Sequence, residues 1–236
     1  EVCVWFWASL TLTANAGSGG PDIWGYSYID SQELDGPPFG LLDLSSVTAL
    51  PISGDQLESI SLPFPWNWYG QQYTMANVSS NGVLFFDGEV TDPQGVCPSL
   101  NSWDGVATFW DDWSSVEVRA GQFGAYPQRV FGLEWAGDHA AVGGYGTVQL
   151  WFLEGGGIRP ELVITLDDIT FGDPSVDGGA SAVIGTSSSL TGAGLSWSCG
   201  GGLQDGLSSW FGREGYRVSS PERTSSDLPS HFYGEH

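Results

Sequence analysis

Apolar and polar positions alternate strictly along the first residues of the chain. Val2, Val4, Phe6, Ala8, Leu10, Leu12 and Ala14 share one parity, whereas Cys3, Trp5, Trp7, Ser9, Thr11, Thr13 and Asn15 occupy the other, which becomes steadily more polar. A period of two is the pattern of a strand with one buried face, and this run is longer than the usual strand of about five or six residues. Gly17-Ser18-Gly19-Gly20-Pro21 follows and reads as a flexible Gly-rich linker. From Pro21 onward, short apolar runs sit between Gly, Pro, Asn and Asp turns, the pattern of an all-β chain. Strands are predicted at 24–29, 59–64, 75–78, 83–86, 107–110, 115–119, 129–135, 147–154, 162–166, 180–186 and 194–198. Asn81-Gly82, between VSS and VLFF, predicts a hairpin with a type I′ turn.

About ten strands between residues 22 and 212 suit one jelly-roll-like antiparallel β-sandwich with an extended N-terminal strand. The domain expectation is therefore an extension over 1–16, a linker over 17–21, a sandwich over 22–212 and a polar tail over 213–236. That tail carries Arg213, Arg217 and Arg223 and reads as a surface-wrapping segment or a contact arm. No run of 18 apolar residues predicts a membrane span.

The N-terminal run admits three readings. It is an ordinary first strand, or the remnant of a secretory signal ending at Ala14-Asn15-Ala16, or a donor strand that completes the sheet of a neighbouring copy. Burying six of its apolar side chains contributes roughly 9–18 kcal/mol. Ordering about eleven residues costs roughly 11–22 kcal/mol in backbone entropy. The two nearly cancel, so a donor strand needs backbone hydrogen bonds to an unpaired sheet edge. Insertion of one copy into the next is heterologous and does not close, and its product is a filament.

Composition narrows the field. The 236 residues hold 28 acidic and 6 basic side chains, a net charge of -22, and all six basic residues are Arg. Lysine nucleophiles, Schiff bases and P-loop phosphate binding are thereby excluded, as is electrostatic nucleic-acid binding. Twelve Trp give the chain ample surface to bury, which argues against disorder. The three cysteines, Cys3, Cys97 and Cys199, lack metal-ligand spacing. Cys97 with Cys199 is the preferred disulfide, in keeping with a secreted, extracellular or cell-surface chain, and Asn77-Val78-Ser79 is a glycosylation candidate.

Several stretches together resemble a β-sandwich module of unassigned function found in secreted and cell-surface bacterial proteins. They are GYSYIDSQELDGPPF (25–39), LPFPWNWYGQQYT (62–74), VSSNGVLFF (78–86), ATFWDDW (107–113), VQLWFLEGGGI (148–158) and ASAVIGTSSSLTGAGLSWS (180–198). The resemblance implies a jelly-roll-like sandwich, an export route and no catalytic residues.

Candidate chemistry is sparse. A Ser–His–Asp triad would have to use His139, and no GxSxG elbow accompanies it. Asp111-Asp112 and Asp167-Asp168 are paired carboxylates, but strand neighbours point to opposite faces. Asp30, Glu33 and Asp35 before Gly36 offer a weak Ca²⁺ site, with Asp167, Asp168, Asp173 and Asp177 around Gly172 as a second acidic group. Trp66, Trp68, Tyr69, Trp103, Trp110 and Trp113 pack a core or form a sugar-stacking platform. The expectation is a non-enzymatic structural subunit whose partners are copies of itself, with glycans as possible additional ligands. Val2, Val4, Phe6, Ala8, Leu10 and Leu12 would form the inserted face. The alternative is a monomeric adhesion or carbohydrate-binding module.

Overall fold

The computed structural model describes residues 18–87, 103–155 and 161–213. The N-terminal run with its candidate donor residues, Cys3, Cys97, Arg217 and Arg223 lie outside them. Among the described residues the chain forms thirteen strands and one 3-10 turn at Asp177–Gly179. One sheet has the order β1 (Ser18–Gly19), β2 (Tyr26–Asp30), β13 (Leu207–Arg213), β10 (Leu162–Asp168), β9 (Tyr145–Leu153), β8 (Val130–His139), β7 (Trp113–Phe123). The other runs β12 (Ala193–Cys199), β11 (Val183–Ser188), β6 (Asp104–Trp110), β5 (Val83–Asp87), β4 (Gln71–Ser79), β3 (Leu57–Trp68). Every pairing is antiparallel, and the two sheets pack as a β-sandwich.

Alternation along the strands decides which residues enter the space between the sheets. On β8 and β9, Phe131, Leu133, Trp135, Leu150 and Phe152 point inward to meet Phe64, Trp66, Trp68, Leu84 and Phe86 from the facing sheet. Their neighbours of opposite parity on each strand, Val130, Trp151 and Leu153, are also buried, on the outer face, beneath Leu42 and Leu44. Burial on both faces is unusual for antiparallel sheets, which commonly leave one face in water. Here the segment around Leu42–Leu44 straps across the outside. Leu42 N–H donates to Gln149 Oε1 and Gln149 Nε2 donates back to the Leu42 carbonyl, both at 2.9 Å. A side-chain amide thus supplies both halves of a backbone-like pair. Gly132 leaves the room, since a Cβ there would lie 2.5 Å from Leu42 Cδ1.

Two hairpin turns of the second sheet differ in geometry. Trp68 pairs with Gln71, so Tyr69-Gly70 is a two-residue loop, and both residues have positive φ (43° and 85°). That is the type I′ geometry. At Asn81-Gly82 the hairpin is present, but only Gly82 has positive φ, at 76°. Here the type I′ expectation gives way to a longer loop that closes on a left-handed glycine. The reason is packing: Gly82 lies against β6, where its carbonyl accepts from Thr108 and Phe109 N–H.

The sequence expectation also treated Ser18 and Gly19 as linker, yet they form β1, pairing with Ile29 and Tyr28. Arg213, placed at the start of a tail, ends β13 opposite Tyr26.

A side chain at position 82 meets both a left-handed backbone and the Phe109 carbonyl, 2.0 Å from an ideal Cβ. Gly82→Ala is expected to destabilise the fold by about 2 kcal/mol or more, measured by urea unfolding. Gly54→Ala, also left-handed but with open space around its Cβ, should lose only the smaller backbone part.

Candidate assembly edge

The two lateral seams of the sandwich are built differently. At one, β12 packs against β1 and β2, and Trp197 Nε1 donates to Asp30 Oδ2 across the gap at 3.1 Å. This seam also receives the chain, because Ser18 enters the sheet there. At the other, β3 and β7 end their sheets. The outer edge of β7 has partial cover: Leu50 N–H donates to the Val118 carbonyl, and Ala49 bridges Arg119. Among the described residues no strand pairs with the outer edge of β3, a strand of 12 residues.

Along β3, Phe64, Trp66 and Trp68 are buried in the core, whereas Ile60 and Leu62, on the same inward parity, are only partly covered. Leu50 and Ala120 are the other half-covered apolar groups of this seam. The β3–β4 register slips between Ser61 and Trp66, where the sequence carries Pro63 and Pro65, which donate no backbone hydrogen bond. Arg129 closes one end by donating Nη1 to the Pro63 carbonyl at 2.8 Å while its guanidinium lies over Phe64. Two further bonds to Glu154, at 2.7 and 2.5 Å, fix that arginine and hold the Glu154 carboxyl below its ordinary range. Buried Trp66 Nε1 has no hydrogen-bond partner among the described residues.

The other arginines of the described body are committed in the same way. Arg119 pairs with Glu117 and Glu134, and Arg213 with Glu161, which also accepts from Tyr26 Oη. Burial, then Glu161, pushes the Tyr26 phenol well above its ordinary value.

The aromatic residues read as a possible sugar platform are all in the interior. Trp66, Trp68, Tyr69, Trp103, Trp110 and Trp113 are each at most 6% exposed, so none presents a ring face to a ligand. The candidate triad also fails in its order. His139 Nε2 lies 3.4 Å from Asp111 Oδ2, and Ser181 Oγ donates to that same oxygen at 2.5 Å. The carboxylate therefore stands between serine and histidine, and the imidazole does not reach the hydroxyl as a general base must.

Asp30 is buried and accepts from Gln32 N–H and Trp197 Nε1, while Glu33 and Gly36 close the backbone turn after it. In the second acidic group, Asp168, Asp173 and Asp177 accept from the N–H groups of Thr170, Ser175 and Gly172. Among the described residues no three His, Cys, Asp or Glu side chains converge on a metal site. Asn77 sits mid-strand on β4, where its Oδ1 accepts from Ser59 Oγ at 2.6 Å, while Ser79 of the same triplet is buried.

Cys199 is disulfide-bonded. It pairs in register with Val183, which belongs to the cluster of Val83, Phe85, Trp103 and Trp110 on the outer face of the second sheet. Peptide mapping under non-reducing conditions is expected to find Cys97 as its partner, since residue 97 lies only six residues before Trp103 on that face. A Cys3–Cys199 peptide would overturn that pairing.

Burial raises the carboxyls of Asp30, Asp112 and Asp167 above their ordinary range. The folded state therefore holds these protons more tightly than the unfolded state, and stability falls as pH rises through their raised values. Glu154, Asp43 and Asp173 are lowered by hydrogen bonds, and their contribution disappears only as pH falls through the lowered values. The melting temperature is thus expected to be higher near about pH 5 than near about pH 8, as calorimetry at low salt would show.

No curated protein and no solved structure matches the chain. Among the described residues no helix is long and apolar enough to cross a membrane. The family model described as NIDO related matches residues 38–195, from the strap that ends in Ala49 and Leu50 through to β12. With more than half of its length matched, and the two-sheet fold lying within and around that span, this chain belongs to the NIDO-related family.

Proposed function

We propose that this protein is a non-catalytic structural subunit of an extracellular filament, in which residues 1–16 of one copy add a strand to the β3 edge of the next. The observation that carries the reading is that edge: a long terminal strand whose inward Ile60 and Leu62 are incompletely covered. Strand addition needs backbone hydrogen bonds as well as apolar burial, because burial alone only balances the ordering of the donor. An edge that no described strand pairs supplies those bonds, and half-covered side chains supply a seat for alternate residues such as Phe6, Ala8 and Leu10.

The placement of the two seams supports head-to-tail growth. Among the described residues the first strand, β1, lies beside β12, and the β3 edge lies on the opposite side. A donor leaving one seam and an acceptor on the other favour a neighbour over the subunit's own groove. Membership of the NIDO-related family and the Cys199 disulfide fit an extracellular setting. The carbohydrate-binding alternative loses its platform, because its six rings are buried.

Electron microscopy of native material is expected to show filaments, and deletion of residues 1–16 to leave discrete particles. Ile60→Asp with Leu62→Asp should have the same effect while the melting transition persists. Leu34→Ser, at a side chain 99% exposed, should leave assembly intact. Filaments that survive the deletion would refute the proposal.

A further inference from the structure

His139 sits at the end of β8, 4% exposed, and neither the fold's core packing nor strand addition requires an imidazole there. Its two ring nitrogens face different kinds of partner. Ala141 N–H donates to Nδ1 at 3.2 Å, so Nδ1 carries a lone pair and the neutral ring bears its proton on Nε2. Nε2 lies 3.4 Å from Asp111 Oδ2, close enough for ion pairing but outside hydrogen-bond geometry. The ring is held from a third side by Phe171, with centroids 5.4 Å apart.

The backbone around it is a compact turn between β8 and β9. His139 N–H donates to Gly144 O, Gly143 N–H donates to His139 O, and Ala140 N–H reaches across to Asp112 O. The residues between, Ala140 to Tyr145, are largely exposed, including the apolar side chains of Val142 and Tyr145. The hydrogen bond from Ala141 N–H therefore ties the outer part of this turn to the buried imidazole.

We propose that His139 is a proton-operated latch on the 139–144 turn: a proton added at Nδ1 ejects the Ala141 N–H and draws the ring toward Asp111. The proton comes from solvent and forms an N–H bond at Nδ1. Two donors then face each other, and the Ala141 contact cannot persist. At the same time Nε2–H becomes part of a cation opposite a carboxylate, and a charge-assisted bond is stronger than a neutral one. One protonation thus breaks a hydrogen bond on the solvent side and strengthens a contact on the core side.

The charged and titratable neighbours favour this exchange. Asp111 and Asp112 come from the β6–β7 turn, and Asp55, beside Asn81, adds to the negative field at Asp112. Asp138 precedes the histidine on its own strand and pairs with Tyr145 of β9. On the segment that carries Phe171, Asp168, Asp173 and Asp177 are occupied by backbone N–H groups. No arginine of the described body is directed here, since each is bound to Glu117, Glu134, Glu154 or Glu161.

NMR of the full chain tests it, with the imidazole nitrogens assigned to His139 rather than His231 or His236. At about pH 8 the Nε2–H tautomer should be seen. As the ring takes up its proton, hydrogen-exchange protection of the Ala141 amide, corrected for intrinsic pH dependence, should fall by about fivefold or more, while that of Leu133 and Leu150 holds. In His139→Gln the pH dependence at Ala141 should vanish. Constant Ala141 protection through the titration, a ring that does not titrate while the protein is folded, or loss of protection at all amides together would each overturn the latch.

Discussion

A layer of large aromatic rings pressed between two sheets is the constraint on which the remainder of this structure depends. Trp68 packs against the tilted rings of Tyr26 and Phe86 and edge-on to Tyr69 at one end, and Trp113 meets Phe109 and Phe171 at the other. Rings of this size contribute much apolar burial, but each indole brings an N–H that must be satisfied. Trp68, Trp113 and Trp135 donate to the carbonyls of Ser187, Phe109 and Ser79, and Trp197 to the carboxylate of Asp30. The bonds of Trp113, Trp135 and Trp197 join the two sheets, and that of Trp68 ties β3 to β11 within one of them. They also explain why one seam is tight: Trp197 and Asp30 close it. Trp66, on the strand that ends the other seam, lacks such a partner among the described residues.

The same demand for burial shapes the outer faces. Trp151 and Trp210 face away from the central layer and require a cover of their own. The strap through Leu42 provides it, held by Gln149, which bonds at once to the strap, to Glu134 and to the Trp151 indole. A buried polar side chain with all its bonds made sets the register of what lies over it without leaving an unsatisfied group.

Much of the fold was legible in the alternation of residues, and the reason for the gaps is physical. Strands such as β5, β8 and β9 carry dense aliphatic and aromatic residues and were readable directly. Strand β13, which lies between β2 and β10 in the middle of its sheet, was missed: it reads Leu-Ser-Ser-Trp-Phe-Gly-Arg, and the buried Ser208 and Ser209 mimic a surface run. Their hydroxyls are satisfied by Thr165 and the Ile29 carbonyl, a pairing that only the neighbouring strands reveal. The Tyr69-Gly70 turn was hidden because tyrosine seldom adopts positive φ; its ring is fixed by Asp22 and by packing on Trp68. At the candidate edge, the sequence indicated a need for an acceptor but could not identify it, because the ends of a sheet depend on strand order. The pairing of His139 with Asp111 rather than with a serine likewise follows from the β7–β8 register, in which Trp113 lies opposite His139.

The arginines have a consequence for how such molecules meet. Each of the three in the described body is paired with glutamate, so the net charge of -22 is left without basic side chains in that body free to receive a neighbour's carboxylates. Two such surfaces sense each other over a distance set by the surrounding ions, about 30 Å at 0.01 M and about 8 Å at physiological salt. In dilute medium the molecules are held apart before any apolar edge can touch. For the assembly proposed above, ionic strength would therefore act as a gate on encounter while the contacts themselves stay unchanged.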